Sequence, residues 1–145
     1  MDKNLEFRIK DKWLDVIDFV WDVNSINMLY IAHSCLEKGK YAIRIVTDNE
    51  VDELYFRTGD ELKISSEFKK LCSALGEVNS NFKVYFPKCF NFSNVKDVRV
   101  NKKGIFNETR ITFNSGDYLD VKATGKKVKL MIADMQDAKL QDFKL

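Results

Sequence analysis

Tyr41-Ala42-Ile43-Arg44-Ile45-Val46-Thr47-Asp48-Asn49-Glu50-Val51-Asp52-Glu53-Leu54-Tyr55-Phe56-Arg57 is the stretch on which the fold turns. Its first seven residues are rich in β-branched side chains, which pack well on a pleated surface and so favour a strand. Asp48-Asn49-Glu50 carries turn chemistry, and residues 51–57 return as the hairpin partner. Thr58-Gly59-Asp60 ends the pair.

Outward from this hairpin the chain reads mostly as further strands. Leu5-Glu6-Phe7-Arg8-Ile9 alternates apolar and charged residues, the pattern of a half-buried strand. Residues 13–23 fit both helical and extended spacing, with a strand favoured for the first half. Residues 26–32 form a short apolar run bounded by polar residues, which suits a strand buried on both faces. A polar connection over 33–40, with Gly39 as its turn signal, joins that run to the hairpin.

One helix is clear, over about residues 65–75. Phe68, Leu71, Cys72 and Leu75 recur at helical spacing and make a single apolar stripe. Ser65 or Ser66 is the candidate N-cap and Gly76 the candidate C-terminal residue. Beyond it, residues 82–86 form a strand that Pro87 stops or edges. Residues 95–100 form another, ended by an Asn101-Lys102-Lys103-Gly104 turn. Arg110-Ile111-Thr112-Phe113 pairs with Tyr118-Leu119-Asp120-Val121 across Asn114-Ser115-Gly116-Asp117. Val128, Met131, Ile132 and Met135 are spaced for one face of a C-terminal helix. The expected fold class is mainly β (α+β), with antiparallel strands and hairpins, a single domain over 1–135 and a polar tail over 136–145.

Composition supports a folded chain. Of 145 residues 45% are hydrophobic, with eleven Phe, five Tyr and two Trp, so an aromatic-rich core can form without disulfide or metal. No apolar run is long enough to span a membrane as a helix, and the N-terminus lacks the pattern of a signal peptide. Three widely spaced cysteines, an odd number, fit a reducing cytoplasmic setting.

The net charge of +2 conceals an uneven distribution. Residues 1–82 carry −4, residues 83–129 carry +7, and residues 130–145 carry −1. A basic excess of that size attracts phosphate or an acidic protein face. Lysine outnumbers arginine nine to two in the basic stretch, which points to general anion attraction, since arginine is the usual reader of guanine.

Catalytic patterns are sparse. His33 is the single histidine, and Cys35 is its one near candidate ligand, too little for a zinc site. Ser34 and Cys35 flank His33, but sequence neighbours seldom hold the nucleophile–base geometry. The sequence has no Gly-x-Ser-x-Gly elbow, phosphate-binding glycine loop or His-Glu-x-x-His. Asp52-Glu53 and Asp60-Glu61 are adjacent pairs that point apart and read as solvated surface. Cys72 and Cys89 read as structural. The expectation is a non-catalytic chain with no cofactor and no metal.

In the order of its elements the chain resembles a LytTR-type DNA-binding domain of bacterial regulators. Leu5-Glu6-Phe7-Arg8-Ile9 and Ile26-Asn27-Met28-Leu29-Tyr30-Ile31 are similar to the family's first two strands. The hairpin and helix follow in the family's order. Phe82-Lys83-Val84-Tyr85-Phe86-Pro87-Lys88-Cys89-Phe90-Asn91 is similar in layout to its central segment. The resemblance implies contact with double-stranded DNA from three loops, matched here by residues 33–40, 86–88 and 122–127. It implies Lys38, Lys40, Lys88, Lys122, Lys126 and Lys127 as the phosphate-contacting residues. Val84 and Phe86 stand near the places of the family's arginine and histidine, and Pro87 is foreign to its pattern. The alternative expectation is a small protein-interaction module, of inhibitor or immunity type, docking a protein partner through a charged face.

Overall fold

The central hairpin forms as its residues dictate. β-branched strand β5 (Tyr41–Val46) pairs antiparallel with β6 (Val51–Thr58), and the Thr47 amide closes the turn on the Glu50 carbonyl at 2.9 Å. The computed structural model describes residues 4–48, 50–85, 87–103 and 106–123. The expected C-terminal helix over 128–135, the polar tail over 136–145, and Lys126 and Lys127 lie outside them. The chain divides into two compact units, Met1–Asn91 and Phe92–Leu145. The expected mainly-β class with antiparallel strands and one clear helix is what the described residues show.

The first unit opens with a three-stranded meander: β1 (Arg8–Lys10), β2 (Trp13–Val16) and β3 (Phe19–Asp22). Strand β1 is shorter than the alternation of residues 5–9 suggests. Leu5 is in the core, and its amide is bonded to the buried Glu67 carboxylate at 3.1 Å instead of entering a ladder. Lys63 and Lys70 flank the same carboxylate at 3.5 and 3.3 Å, so the buried charge is compensated.

Residues 13–23 are not one element. Val16 pairs with Phe19, leaving Ile17 and Asp18 as a two-residue turn with φ of 45° and 69°. Positive φ at both positions matches the right-handed twist of the flanking strands, which is why Asn-Gly is the usual choice there. Isoleucine is a costly occupant, because its branched Cβ crowds the backbone in this region. A short 3-10 turn, Val23–Ser25, follows, with the Asp22 carboxylate accepting the Asn24 amide.

The main sheet has five strands in the order β6-β5-β4-β8-β7, where β4 is Met28–His33, β7 is Phe82–Tyr85 and β8 is Lys88–Asn91. Strand β4 is less enclosed than expected, with Tyr30, Ile31 and Ala32 only half-buried. Strand β8 was not legible as a separate strand. It pairs with β4 through Met28, Leu29 and Tyr30, while Pro87 sits in the β7–β8 turn and its carbonyl accepts the Ile31 amide at 3.1 Å.

The helix α1 (Glu61–Val78) is longer than the expected 65–75 at both ends. Asp60, not Ser65 or Ser66, is the N-cap, and its carboxylate accepts the amides of Leu62 and Lys63 at 3.0 and 3.2 Å. Ser65 lies within the helix and turns its hydroxyl back to the Glu61 carbonyl at 2.9 Å. Gly76 is helical and does not end the helix; Asn79 is the C-cap, its amide reaching the Leu75 carbonyl. The expected stripe of Phe68, Leu71, Cys72 and Leu75 is buried together with Ile64, and packs with Leu29, Ile43, Ile45 and Leu54 in one core. Burial of these side chains is the main favourable term holding helix to sheet.

Among its described residues the second unit holds a three-stranded antiparallel sheet, β9 (Val95–Lys103), β10 (Phe106–Phe113) and β11 (Tyr118–Ala123), with β10 in the middle. Asn101, Lys102 and Lys103 continue β9 instead of turning, since each has a partner on β10. The expected 114–117 turn is present. The Phe113 amide reaches the Asp117 carbonyl at 2.8 Å, and Gly116 takes φ of 96°, which a Cβ would resist. No helix among the described residues is long and apolar enough to cross a membrane.

The strained β2–β3 turn yields a direct test. Replacing Ile17 by Asn should stabilise the first unit by about 1 kcal/mol, because asparagine tolerates positive φ. Thermal unfolding of I17N should then show a midpoint a few degrees above the parent.

Candidate functional site

The loop over residues 34–40, between β4 and β5, carries two of the expected contact residues. Lys38 is exposed and Lys40 half-buried. Opposed triplets place this loop at one end of the sheet: His33 lies across from Tyr41, and Tyr41 across from Thr58. The β7–β8 turn meets the same end through the Pro87–Ile31 bond, so Lys88 stands there too, as the first residue of β8 and not in a loop. A Cβ on Gly59 would stand only 3.6 Å from the Gly39 carbonyl oxygen, which shows how closely the β6–α1 turn approaches that loop. Lys122 lies on β11 of the second unit, opposite Glu108 in register.

Arg44, which sequence reading did not single out, is bound into this end. Its guanidinium donates to the His33 carbonyl at 2.9 Å, to Cys35 Sγ at 2.8 Å and to the Tyr30 hydroxyl at 3.4 Å. Tyr30 is opposite Arg44 on one side and Lys88 on the other. His33 stacks on Tyr41 with ring centres 5.2 Å apart. The Ser34 hydroxyl donates to Glu53 at 2.9 Å and accepts the amides of Leu36 and Glu37. The His33 ring, the Ser34 hydroxyl and the Cys35 thiol thus each meet a different side chain, Tyr41, Glu53 and Arg44.

The basic excess of the second unit is offset locally. Arg110 grips Asp120 with two bonds of 2.9 and 3.1 Å and covers the Tyr118 ring at 4.0 Å, while Arg99 pairs with Asp97 at 3.1 Å. Both arginines of the basic stretch therefore face a carboxylate, in a depression of about 630 Å³ on one face of the sheet. Such exposed pairs contribute little to stability, but they cancel charge that phosphate would otherwise meet.

A second concavity lies in the first unit. A groove of about 590 Å³ runs beside β6, walled by Phe19, Val20 and Trp21 of β3, by Tyr55 and Arg57 of β6, and by Leu36 of the 34–40 loop. Leu36 is 71% exposed, Phe19 64% and Tyr55 63%, so three large apolar side chains from separate segments face solvent around one cleft. Its acidic lining comes from Glu50, Asp52 and Glu53. The Trp21 indole nitrogen donates to Asp52 at 3.3 Å, which ties β3 to β6.

Glu53 shapes the groove. The expectation that Asp52-Glu53 is solvated surface fails for Glu53, whose side chain is only 9% exposed. One carboxylate oxygen accepts the Cys35 amide at 3.0 Å, and the other accepts the Ser34 hydroxyl and Arg57 Nε at 2.9 and 2.7 Å. Burial pushes the Glu53 carboxyl up, but the bonds from Arg57, Cys35 and Ser34 outweigh it and hold the group below its ordinary value. The loop carrying Leu36 is thereby fastened to β6. No short-range pattern signals this, because the partners lie 18 and 19 residues away.

The cysteines divide by burial. Cys72 on α1 and Cys89 on β8 are buried, and Cys35 is exposed. A hydrogen bond with Cys89, reinforced by burial, pushes the Cys72 thiol far above its usual range. Among the described residues no group of three or more His, Cys, Asp or Glu could hold a metal ion. Comparison of the chain with protein-family models, curated proteins and solved structures finds no match.

Glu53 makes the clamp dependent on pH. A carboxyl whose folded value is depressed contributes stability that is fully present above its unfolded value, and loses it as pH falls through the folded value. Glu53→Gln should cost about 2 kcal/mol at pH 7, since charged hydrogen bonds are lost. Urea unfolding should show that gap closing as pH drops below the ordinary glutamate value of about 4.3.

Proposed function

We propose that this chain is a non-catalytic protein-interaction module that docks a partner protein in the groove beside β6. The observation that carries this reading is the convergence of exposed Phe19, Leu36 and Tyr55 on an acidic cleft braced by Glu53 and Trp21. Contiguous exposed apolar surface rimmed by polar groups is what interaction sites present, and aromatic anchors carry much of their binding energy. The engagement of the His33 ring, the Ser34 hydroxyl and the Cys35 thiol with three different side chains supports the non-catalytic part. A photo-crosslinking residue at position 55 should join the partner, and Phe19→Asp should abolish the adduct while the thermal midpoint stays near the parent's. Adducts that form equally well in F19D would refute the reading.

A second reading is supported by one observation, the gathering of Lys38, Lys40 and Lys88 at one end of the main sheet. On that reading the chain is a LytTR-like regulator that touches DNA phosphates through basic loops. Phosphate contact releases counterions, so affinity for duplex DNA would rise steeply as salt falls. Titration with duplex DNA at 50 and 200 mM salt tests it, at roughly a tenfold or greater ratio for several contacts. Absence of binding at the lower salt removes it.

A further inference from the structure

The groove follows the end strand of the main sheet. Successive strand residues point to opposite faces, yet Asp52 from one face of β6 and Glu53, Tyr55 and Arg57 from the other all line it. A cleft lined from both faces of one strand must run along that strand's outer side. Among the described residues β6 is the end strand of its sheet, and no strand is hydrogen-bonded to it on this side.

The ladder fixes which backbone groups face outward. The Val46 carbonyl accepts the Asn27 amide at 2.8 Å, so Val46 directs its backbone groups away from β6. Its opposite residue, Val51, is then in a non-hydrogen-bonded pair and turns its own amide and carbonyl outward. The Thr47–Glu50 bond agrees with this phase. Two residues on, Glu53 opposite Arg44 has the same orientation, while Asp52 opposite Ile45 bonds inward to β5. Past Glu53 the register shifts by two residues, which ends the regular edge.

Charge indicates what fits there. Arg57 is neutralised by Glu53 at 2.7 Å, so Glu50 and Asp52 leave the groove acidic. We infer that the occupant is an extended basic segment of a partner protein, which adds a short strand along Val51–Glu53 and sets a lysine or arginine against Glu50 and Asp52. Its apolar residues pack on Phe19 and Tyr55. Backbone pairing supplies affinity and alternate side chains supply specificity, as in other cases of strand addition. This inference rests on the docking role proposed above and names the chemistry of the docked segment.

The test is residue-resolved amide exchange on the full chain with a ten-residue synthetic peptide alternating valine and lysine. Saturating peptide should slow exchange at Val51 and Glu53 about tenfold or more, with Asp52 unchanged. Glu50→Gln should weaken binding about threefold. A peptide alternating valine and glutamate should leave all three amides unaffected. Equal protection by the acidic peptide overturns the charge assignment. If neither peptide protects Val51 and Glu53 while the partner still crosslinks at position 55, strand addition is overturned and the docking role stands. Loss of both signals removes the two together.

Discussion

The three-way clamp on the Glu53 carboxylate is the contact on which the shape of the first unit's surface depends. Without it, Arg57 would be a half-buried cation deprived of its carboxylate, and the 34–40 loop would lose the bonds of Ser34 and Cys35 to β6. With it, one side chain links the start of a loop, an edge strand and a cation at distances of 2.7 to 3.0 Å. The bonds from Ser34 and Cys35 are local in space but not in sequence, whereas Arg57 is only four residues from Glu53. Ionised carboxylates form bonds roughly twice as strong as neutral groups, so three of them tolerate a burial that one would not.

The interior beneath obeys simpler rules. Helix α1 offers a stripe at helical spacing, and the main sheet offers Leu29, Ile43, Ile45 and Leu54 in return. Glu67 departs from this apolar pattern by holding the Leu5 amide and two lysines around a buried charge. The N-terminal segment is therefore joined to the helix by a polar contact, and that contact shortens β1. Both buried carboxylates show one logic: a charge leaves water only when several donors replace the water it loses.

How much of this was legible in the sequence follows from the range of the forces involved. The hairpin over 41–57 was readable because β-branched runs and turn residues act locally, and so was the stripe of α1. The ends of α1 were not, since Asp60 and Ser65 are both acceptable caps and only the surrounding backbone decides between them. Ile17 was misleading for a physical reason: a β-branched residue argues for strand, and here it occupies a turn. Lys88-Cys89-Phe90-Asn91 lacks any alternating pattern, so β8 is defined by its neighbours. The groove was the least accessible feature. Its walls come from residues 16–21, 36 and 50–57, which acquire a relation only when β3 and the 34–40 loop come against β6. Charge partition along the chain was readable, but the pairing of Arg99 and Arg110 with Asp97 and Asp120 blunts what it suggested.

The burial of the cysteines has a practical outcome. Cys72 and Cys89 are enclosed in the core, whereas Cys35 is at the surface, one residue from Leu36. A maleimide dye or nitroxide added to the folded, unmodified chain goes to a single position. That position is the lip of the groove, so the molecule already carries a spectroscopic handle where occupancy would be sensed.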